Sequence, residues 1–313
     1  SSRIKLKHKF SFIDLFAGIG GMRISLEELG GKCVFSSEID KYCIQTYKAN
    51  FGDEPHGDIT QIEEKNIPKH NILVAGFPCQ AFSHAGLKKG FQDTRGTLFF
   101  DIARILEHKK PEAFLLENVK GLRGHDEGRT LNTIIKTLNE LGYQSLNIEV
   151  LNSKNFGLPQ NRERIYIVGF KEYLKFNFPQ PLNKKTRLGA ILHKKAARKL
   201  TISDRLWDSH QKRKQKNRDM GRGFGYSSFN RDAEYTSTIS ARYYKDGSEI
   251  LIEQKNKNPR MLSPREAARL QGFPEDFKIV VSNGQAYKQF GNSVSVPVIK
   301  EIVKEILRSL NIN

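Results

Sequence analysis

The chain has 313 residues, 38% hydrophobic and 27% charged, with a net charge of +18, which leaves room for one large core or two modest ones and suits a polyanionic partner. No apolar run approaches the roughly 18 residues of a membrane span, and the basic N-terminal stretch has no apolar segment ahead of a cleavage site, so neither a span nor a secretory signal is expected. Three cysteines, an odd number without CxxC or Cys/His spacing, argue against a disulfide framework and a metal site and fit a reducing cytoplasm.

The first 170 residues alternate strand and helix patterns. FSFIDLFAG, from Phe10, predicts a strand running into glycines, and GMRISLEELG a helix stopped by Gly30. CVFSSEI reads as a second strand, DKYCIQTYKANF as a helix, HGDIT as a short third strand end and NILVAGF as a buried strand. GTLFFDIARILEHKK carries apolar residues at helical spacing, EAFLLENV is a strand, RTLNTIIKTLNELG a helix, and SLNIEVL and RIYIVGF are strands. This alternation predicts an α/β fold, a doubly wound and largely parallel sheet that binds ligands at the carboxyl ends of its strands.

After Phe170 the rhythm breaks. Residues 176–282 are basic and rich in Gly, Ser, Asn and Tyr, with short strand-like pieces such as YTSTISARYY and SEILIEQ, and predict a smaller, irregular, β-rich domain. Residues 1–175 and 283–313 form the first domain, to which the amphipathic PVIKEIVKEILRSL helix returns. From Asn183 to Arg222 there are 14 Lys/Arg and 3 Asp, a pattern suited to neutralising phosphates.

Gly18, Gly20 and Gly21 stand at the turn between the first strand and its helix, where a backbone must approach a cofactor closely. Glu38 falls about 20 residues on, where an acid can hold a ribose diol. Asp58 could accept from an adenine amino group, with Phe16 and Ile59 as apolar walls. Two acids and no phosphate-binding lysine favour a cationic, phosphate-free nucleoside such as S-adenosylmethionine over NAD.

Cys79 follows a strand in GFPCQ, at a lip where chemistry is usually placed, whereas Cys33 and Cys43 sit in or beside apolar runs. For a cytosine substrate, a thiolate adding to C6 makes C5 nucleophilic, and an acid at N3 assists. Glu117 supplies that acid at the end of LLENV. Arg162 and Arg164 in QNRER precede another strand, where one could hold the base carbonyl or the catalytic loop and the other a phosphate.

DLFAGIGG, SEID, GDIT, GFPCQAFS, RGTLFFDIARIL, LLENVKG, FGLPQNRERIYIVGF, SPREAARLQGFP and AYKQFGNSV occur in this order through nearly the whole chain. With these motifs the sequence resembles the bacterial DNA (cytosine-5)-methyltransferases of restriction-modification systems or orphan type. The resemblance implies a methyltransferase domain with a target-recognition domain, Cys79 as nucleophile, Glu117 as the acid at N3, and Arg162 and Arg164 orienting base and loop. It implies a cofactor pocket of Phe16, Gly18, Gly20, Gly21, Glu38, Ile39, Asp58, Ile59, Pro78, Leu98, Asn292 and Val294. Ile39 stands where some relatives have Trp, and Ala267 where others have Cys. S-adenosyl-L-methionine would be converted to S-adenosyl-L-homocysteine without a metal, by a cytoplasmic, nucleoid-associated monomer. A restriction endonuclease sharing the DNA site is an expected companion.

A cytosine in a duplex must be extruded before C6 can be attacked. The loop after Cys79, with Gln80, Ser83, Lys88, Lys89 and Arg95, is expected to close over the base and touch phosphates. In the smaller domain Tyr226, Thr238, Arg242, Tyr243, Tyr244 and Lys245 are candidate DNA contacts, with Arg242 reading guanine. By resemblance Thr238 and Ile239 match a Thr-Leu pair anchoring the recognition loops, and GFGYSSF and TISARYYKDGSEILI resemble regions acting on the inner cytosine of CCGG or CC(N/W)GG sites. A tRNA cytosine-5 methyltransferase and a catalytically dead DNA-binding relative are the competing readings; the dead relative is disfavoured because Cys79 and the Glu-Asn-Val motif are both retained.

Overall fold

The computed structural model describes residues 7–82, 91–223 and 225–313. Two compact units emerge: residues 1–151, 163–180 and 296–313, and residues 152–162 and 181–295. The second unit therefore takes in 152–162 and 283–295 as well as most of 176–282.

In the first unit, strands Phe10–Leu15 (β1), Gly31–Ser37 (β2), Ile72–Gly76 (β3), Ala113–Val119 (β4), Ser145–Asn152 (β5) and Glu163–Phe170 (β6) form one sheet in the order β2-β1-β3-β4-β6-β5. Helices Gly21–Glu28 (α1), Lys41–Phe51 (α2), Leu98–Lys109 (α3) and Arg129–Glu140 (α4) connect them. The first four strands are parallel, and β6 runs antiparallel to β4. The apolar runs of β1, β3 and β4 are unbroken because helices cover both faces of a parallel sheet; Ile13, Leu73, Val74, Leu115 and Leu116 are fully buried. Local chemistry sets the helix ends: Asp40 accepts from the Tyr42 and Cys43 amides to start α2, Thr97 accepts from Phe100 to start α3, and Gly52 ends α2 in the left-handed region. Because β2 lies on one side of β1 and β3 on the other, the order reverses between β1 and β3. In open sheets of this kind the crevice for a ligand opens at such a reversal. The glycine turn after β1 and the cysteine loop after β3 flank it.

In the second unit, Asp204–Asp219 (α5), Tyr243–Asp246 (α6), Pro264–Leu270 (α7) and Asn283–Asn292 (α8) surround a small sheet of Ser228–Phe229 (β7), Leu251–Gln254 (β8) and Lys257–Arg260 (β9). Its core contains Ile239, Tyr243, Ile250, Leu262 and Phe290. SPREAARL builds α7 through a capping box, in which Ser263 accepts from the Glu266 amide and Glu266 accepts from the Ser263 amide. The Glu266 carboxylate also takes both ends of the Arg260 guanidinium, at 2.7 and 3.0 Å. The last helix, Val296–Ser309 (α9), belongs to the first unit: it buries Ile299, Ile302 and Ile306, and its first carbonyl accepts from Ser25 Oγ of α1 at 2.8 Å.

Two local expectations differ from the structure. HGDIT is not a strand, since Asp58 instead caps the 3-10 turn Ile59–Gln61. The end of YTSTISARYY, Tyr243 and Tyr244, begins a turn of helix that runs to Asp246 and is closed by Gly247 at positive φ.

Candidate active site

The glycine turn is shaped by its backbone. Phe16, Gly18 and Gly20 all have positive φ, at 51°, 56° and 89°. For Phe16 that is a strained conformation, of the kind that persists at ligand sites. Nothing lies within 4 Å of where a Cβ on Gly18 would sit, so the turn opens onto free space, whereas a Cβ on Gly20 would meet Phe51 at 2.2 Å. Glu38 sits just beyond β2. Its Oε1 accepts from Gly18 N at 2.8 Å and its Oε2 from Ile39 N and Asp40 N at 2.9 Å, so the carboxylate both braces the turn and offers remaining lone pairs at the reversal. Ile39 is 72% exposed, an apolar ledge. Asp58 is exposed, and hydrogen bonds from the Thr60 hydroxyl and then its amide hold its carboxyl below the usual range. Ile59 is buried beside it. An open glycine cradle, an acid and apolar walls fit a nucleoside such as S-adenosylmethionine. Under the turn, burial pushes the carboxyl of Asp14 up to about 7 against the hydroxyl of Tyr47, 3.0 Å away, and the nearby Arg23 cation.

The cysteine loop and the acid meet through strand register. Gly76 of β3 pairs with Glu117 of β4, so the residues just past β3 lie beside the end of β4. Cys79 is half-buried, and its thiol donates to Asn118 Oδ1 at 3.1 Å; burial raises its pKa. Glu117 is 8% exposed, and Arg164 at the start of the reversed strand β6 brings Nε to 3.9 Å from Glu117 Oε2. Pro78 is exposed at the loop's lip, and Gln80 Oε1 accepts from Leu98 N at 2.7 Å, which ties the loop to the first turn of α3. Arg95 is exposed. Ser83, Lys88 and Lys89 lie outside the described residues. The arrangement gives one soft nucleophile, one carboxyl group and one guanidinium at adjacent strand ends. Asn118, which follows the acid in LLENV and has no motif of its own to mark it, lies against the thiol.

Two expected contacts are corrected. Arg162 is not beside a base: it is 2% exposed, in the second unit, where its guanidinium donates to the carbonyls of Ile239 at 2.7 Å, Gly291 at 2.8 Å and Ser293 at 3.0 Å. Donors engaged by backbone inside a core are not available to a substrate. Tyr243 is 0% exposed, with its hydroxyl donating to Ile250 O and accepting from Leu262 N, so its ring cannot reach DNA. By contrast Arg242, Tyr244 and Lys245 are exposed around α6, and Thr238 Oγ1 donates to Asn161 O at 2.7 Å. Asn292 and Val294 belong to the second unit, the first exposed and the second buried. A cavity of about 380 Å³ at the end of α5 is lined by Lys214, Arg218, Arg222 and Tyr226 together with glycines 221, 223 and 225, without an acid among its described walls. Lys214 Nζ lies 4.1 Å from the centre of the Tyr226 ring.

Comparison with known proteins identifies the family. The type II methyltransferase M1.ScrFI of Lactococcus lactis subsp. cremoris is 64% identical over 308 residues, 96% of this chain and 79% of that protein. The type II methyltransferase M.HpaII of Haemophilus parainfluenzae is 49% identical over 330 residues, 99% of this chain and 92% of that protein. A crystal structure of S. pombe Dnmt2 methyltransferase shares the fold, with a TM-score of 0.78, 20% sequence identity, and coverage of 96% of this chain and 99% of that one. The C-5 cytosine-specific DNA methylase family matches residues 10–308, so the match takes in both units, the glycine turn, the cysteine loop and the acid, and the chain belongs to that family, the DNA (cytosine-5)-methyltransferases.

Proposed function

We propose that this methyltransferase acts on a cytosine everted from a short duplex DNA site, with Cys79 as nucleophile and Glu117 as acid. S-adenosylmethionine, when bound, supplies the methyl group. Phe16, the Gly18–Gly20–Gly21 turn, Glu38, Ile39, Asp58, Ile59, Pro78 and Leu98 are the first unit's residues to hold it. Cys79 sulfur adds to C6, the C5=C6 pair shifts towards C4, and N3 takes a proton from Glu117, leaving C5 nucleophilic. Arg164 holds the carboxyl group of Glu117 in place. Extruding the base costs a few kcal/mol, offset by phosphate contacts from the basic surface.

The pairing of Gly76 with Glu117 carries this reading, because it sets the Cys79 loop beside the acid. Arg242, Tyr244 and Lys245 present the exposed groups for base and backbone contact in the second unit, and the target is the inner cytosine of a CCGG or CC(N/W)GG site, shared with a restriction endonuclease. Labelled-methyl transfer to plasmid DNA tests the chemistry: Cys79→Ala is expected to retain duplex binding and lose transfer entirely. Residual transfer by that variant removes the nucleophile assignment. Bisulfite sequencing of the modified plasmid reads the site, and transfer to tRNA in preference to duplex DNA selects the competing substrate.

A further inference from the structure

Asn118 stands between the acid Glu117 and Val119 on β4, and it is 4% exposed. One carboxamide makes three contacts. Nδ2 donates to the carbonyl of Phe77 at 2.8 Å, and Oδ1 accepts from the Val119 amide at 2.7 Å and from the Cys79 thiol at 3.1 Å. The orientation of the amide follows from its partners. The Phe77 carbonyl can only accept and the Val119 N–H can only donate, so a flipped carboxamide would set oxygen against oxygen and N–H against N–H. The atom facing the sulfur is therefore the carbonyl oxygen. An S–H donates to that oxygen, whereas a thiolate in the same place has two electron-rich atoms in contact and no proton between them.

We propose that Asn118 is a positioning residue that stores Cys79 as the protonated thiol and fixes the Phe77–Cys79 segment, so that the nucleophile forms only when the sulfur leaves Oδ1. This rests on the reading of Cys79 as nucleophile. Among the described residues, the ionisable groups on the neighbouring strands are Asp14 on β1, Glu117 on β4, and Glu163, Arg164 and Tyr166 on β6; Arg164 faces Glu117, Tyr166 pairs with it in the ladder, and burial is the cause of the thiol's raised pKa. On release the thiol proton passes to water. The sulfur pair then forms the bond to C6, the C5=C6 pair moves to C4=C5, and the C4=N3 pair takes the proton of Glu117. A thiol stored this way is also shielded from oxidants and alkylating agents, which attack the thiolate.

The rate at which iodoacetamide alkylates Cys79, followed by mass spectrometry across pH 6 to 10 in the full chain without DNA, reads the ionisation directly. Cys33 and Cys43, half-buried and with thiols pushed up in pKa by burial, report folding in the same spectra by keeping their native low reactivity. In Asn118→Ala the acceptor is gone and the profile is expected to move to lower pH. A tenfold larger thiolate fraction at pH 7 corresponds to about threefold faster alkylation, because a less basic thiolate is less nucleophilic. In Asn118→Asp an anion faces the sulfur, and alkylation at pH 7 is expected to slow by about the same factor. Methyl transfer falls in both variants, as the tether to Phe77 is lost. Opposite shifts in the two variants are a signature of charge that a packing defect does not give. Profiles that coincide with wild type, or that move the same way in both, overturn the proposal. If either variant exposes Cys33 and Cys43, the wild-type profile decides: a midpoint at or below the ordinary ~8.5 of a free thiol overturns it. Loss of transfer in Cys79→Ala is a separate result, so the nucleophile reading can survive failure here.

Discussion

Arg162 and Arg164 stand two residues apart in one QNRER stretch, yet the structure uses them in opposite ways. In the second unit Arg162 is closed inside a cage of backbone carbonyls, and Gly291 lies so near Ser240 that a Cβ there would meet its carbonyl oxygen at 2.2 Å. At the edge of the first unit's sheet Arg164 is partly exposed and faces Glu117 across 3.9 Å, a gap that leaves both groups room to engage something else. A buried charge held by three main-chain carbonyls is architecture. One held 3.9 Å from a buried acid at the strand ends is the arrangement that the proposed chemistry would use.

The largest effect we expect is from Arg162→Ala. Removing a buried cation strands several carbonyl acceptors and should lower the stability of the second unit by about 3–5 kcal/mol. Arg162→Lys should rescue little, because one ammonium cannot span three carbonyls. Denaturant melts within 0.5 kcal/mol of wild type would erase the contrast between the two arginines.

The first unit has a buried charge problem of its own in Asp14, which sharpens the comparison. Its folded value near 7 lies above the ordinary 3.8, so between those pH values the folded chain keeps a proton that the unfolded chain has lost. Stability should therefore fall as pH rises from about 4 to 7 and then level, by up to about 4 kcal/mol from this group. Asp14→Asn should flatten that slope, and melts at pH 5 and pH 8 that keep the wild-type difference would dismiss it. For Arg164→Ala we expect unchanged melting but about a 10²-fold loss in kcat, with KM for duplex DNA little altered. Equal loss of stability and activity would make it a second Arg162. The smallest effect is at the end of α5: Lys214→Ala should reduce the salt slope of DNA binding by about 1 and leave transfer at saturating DNA intact.

Much of the first unit was legible because its signals are local. Continuous apolar runs marked β1, β3 and β4, and Gly18 and Gly20 marked a turn that needs positive φ. Asp58 was misplaced since five residues of HGDIT are too few to separate a strand from a capped turn. Helix α5 was hidden because Leu206 and Trp207 are its lone apolar side chains among 16 residues, so no stripe appears; Ser203 starts it through a cap to Leu206. Tyr243 and Tyr244 look equivalent in sequence, and only the turn of helix they occupy sends one ring inward and the other out. The cage of Arg162 left no trace, since its acceptors are main-chain carbonyls that every residue possesses. Asn118 was not legible because its partners, the Phe77 carbonyl and the Cys79 thiol, lie about 40 residues away in sequence and meet it only through strand pairing.

The reversed direction of β6 has a consequence for how such enzymes can diverge. Its first residues reach the edge where the parallel strands finish, so Arg164 arrives at the start of a strand, while Phe170 ends it at the opposite edge, paired with Ala113. Sequence inserted beyond that far edge can lengthen, shorten or be exchanged without changing the register that seats Arg164. Length and composition past Phe170 are thereby uncoupled from the pairing that keeps Arg164 opposite Glu117.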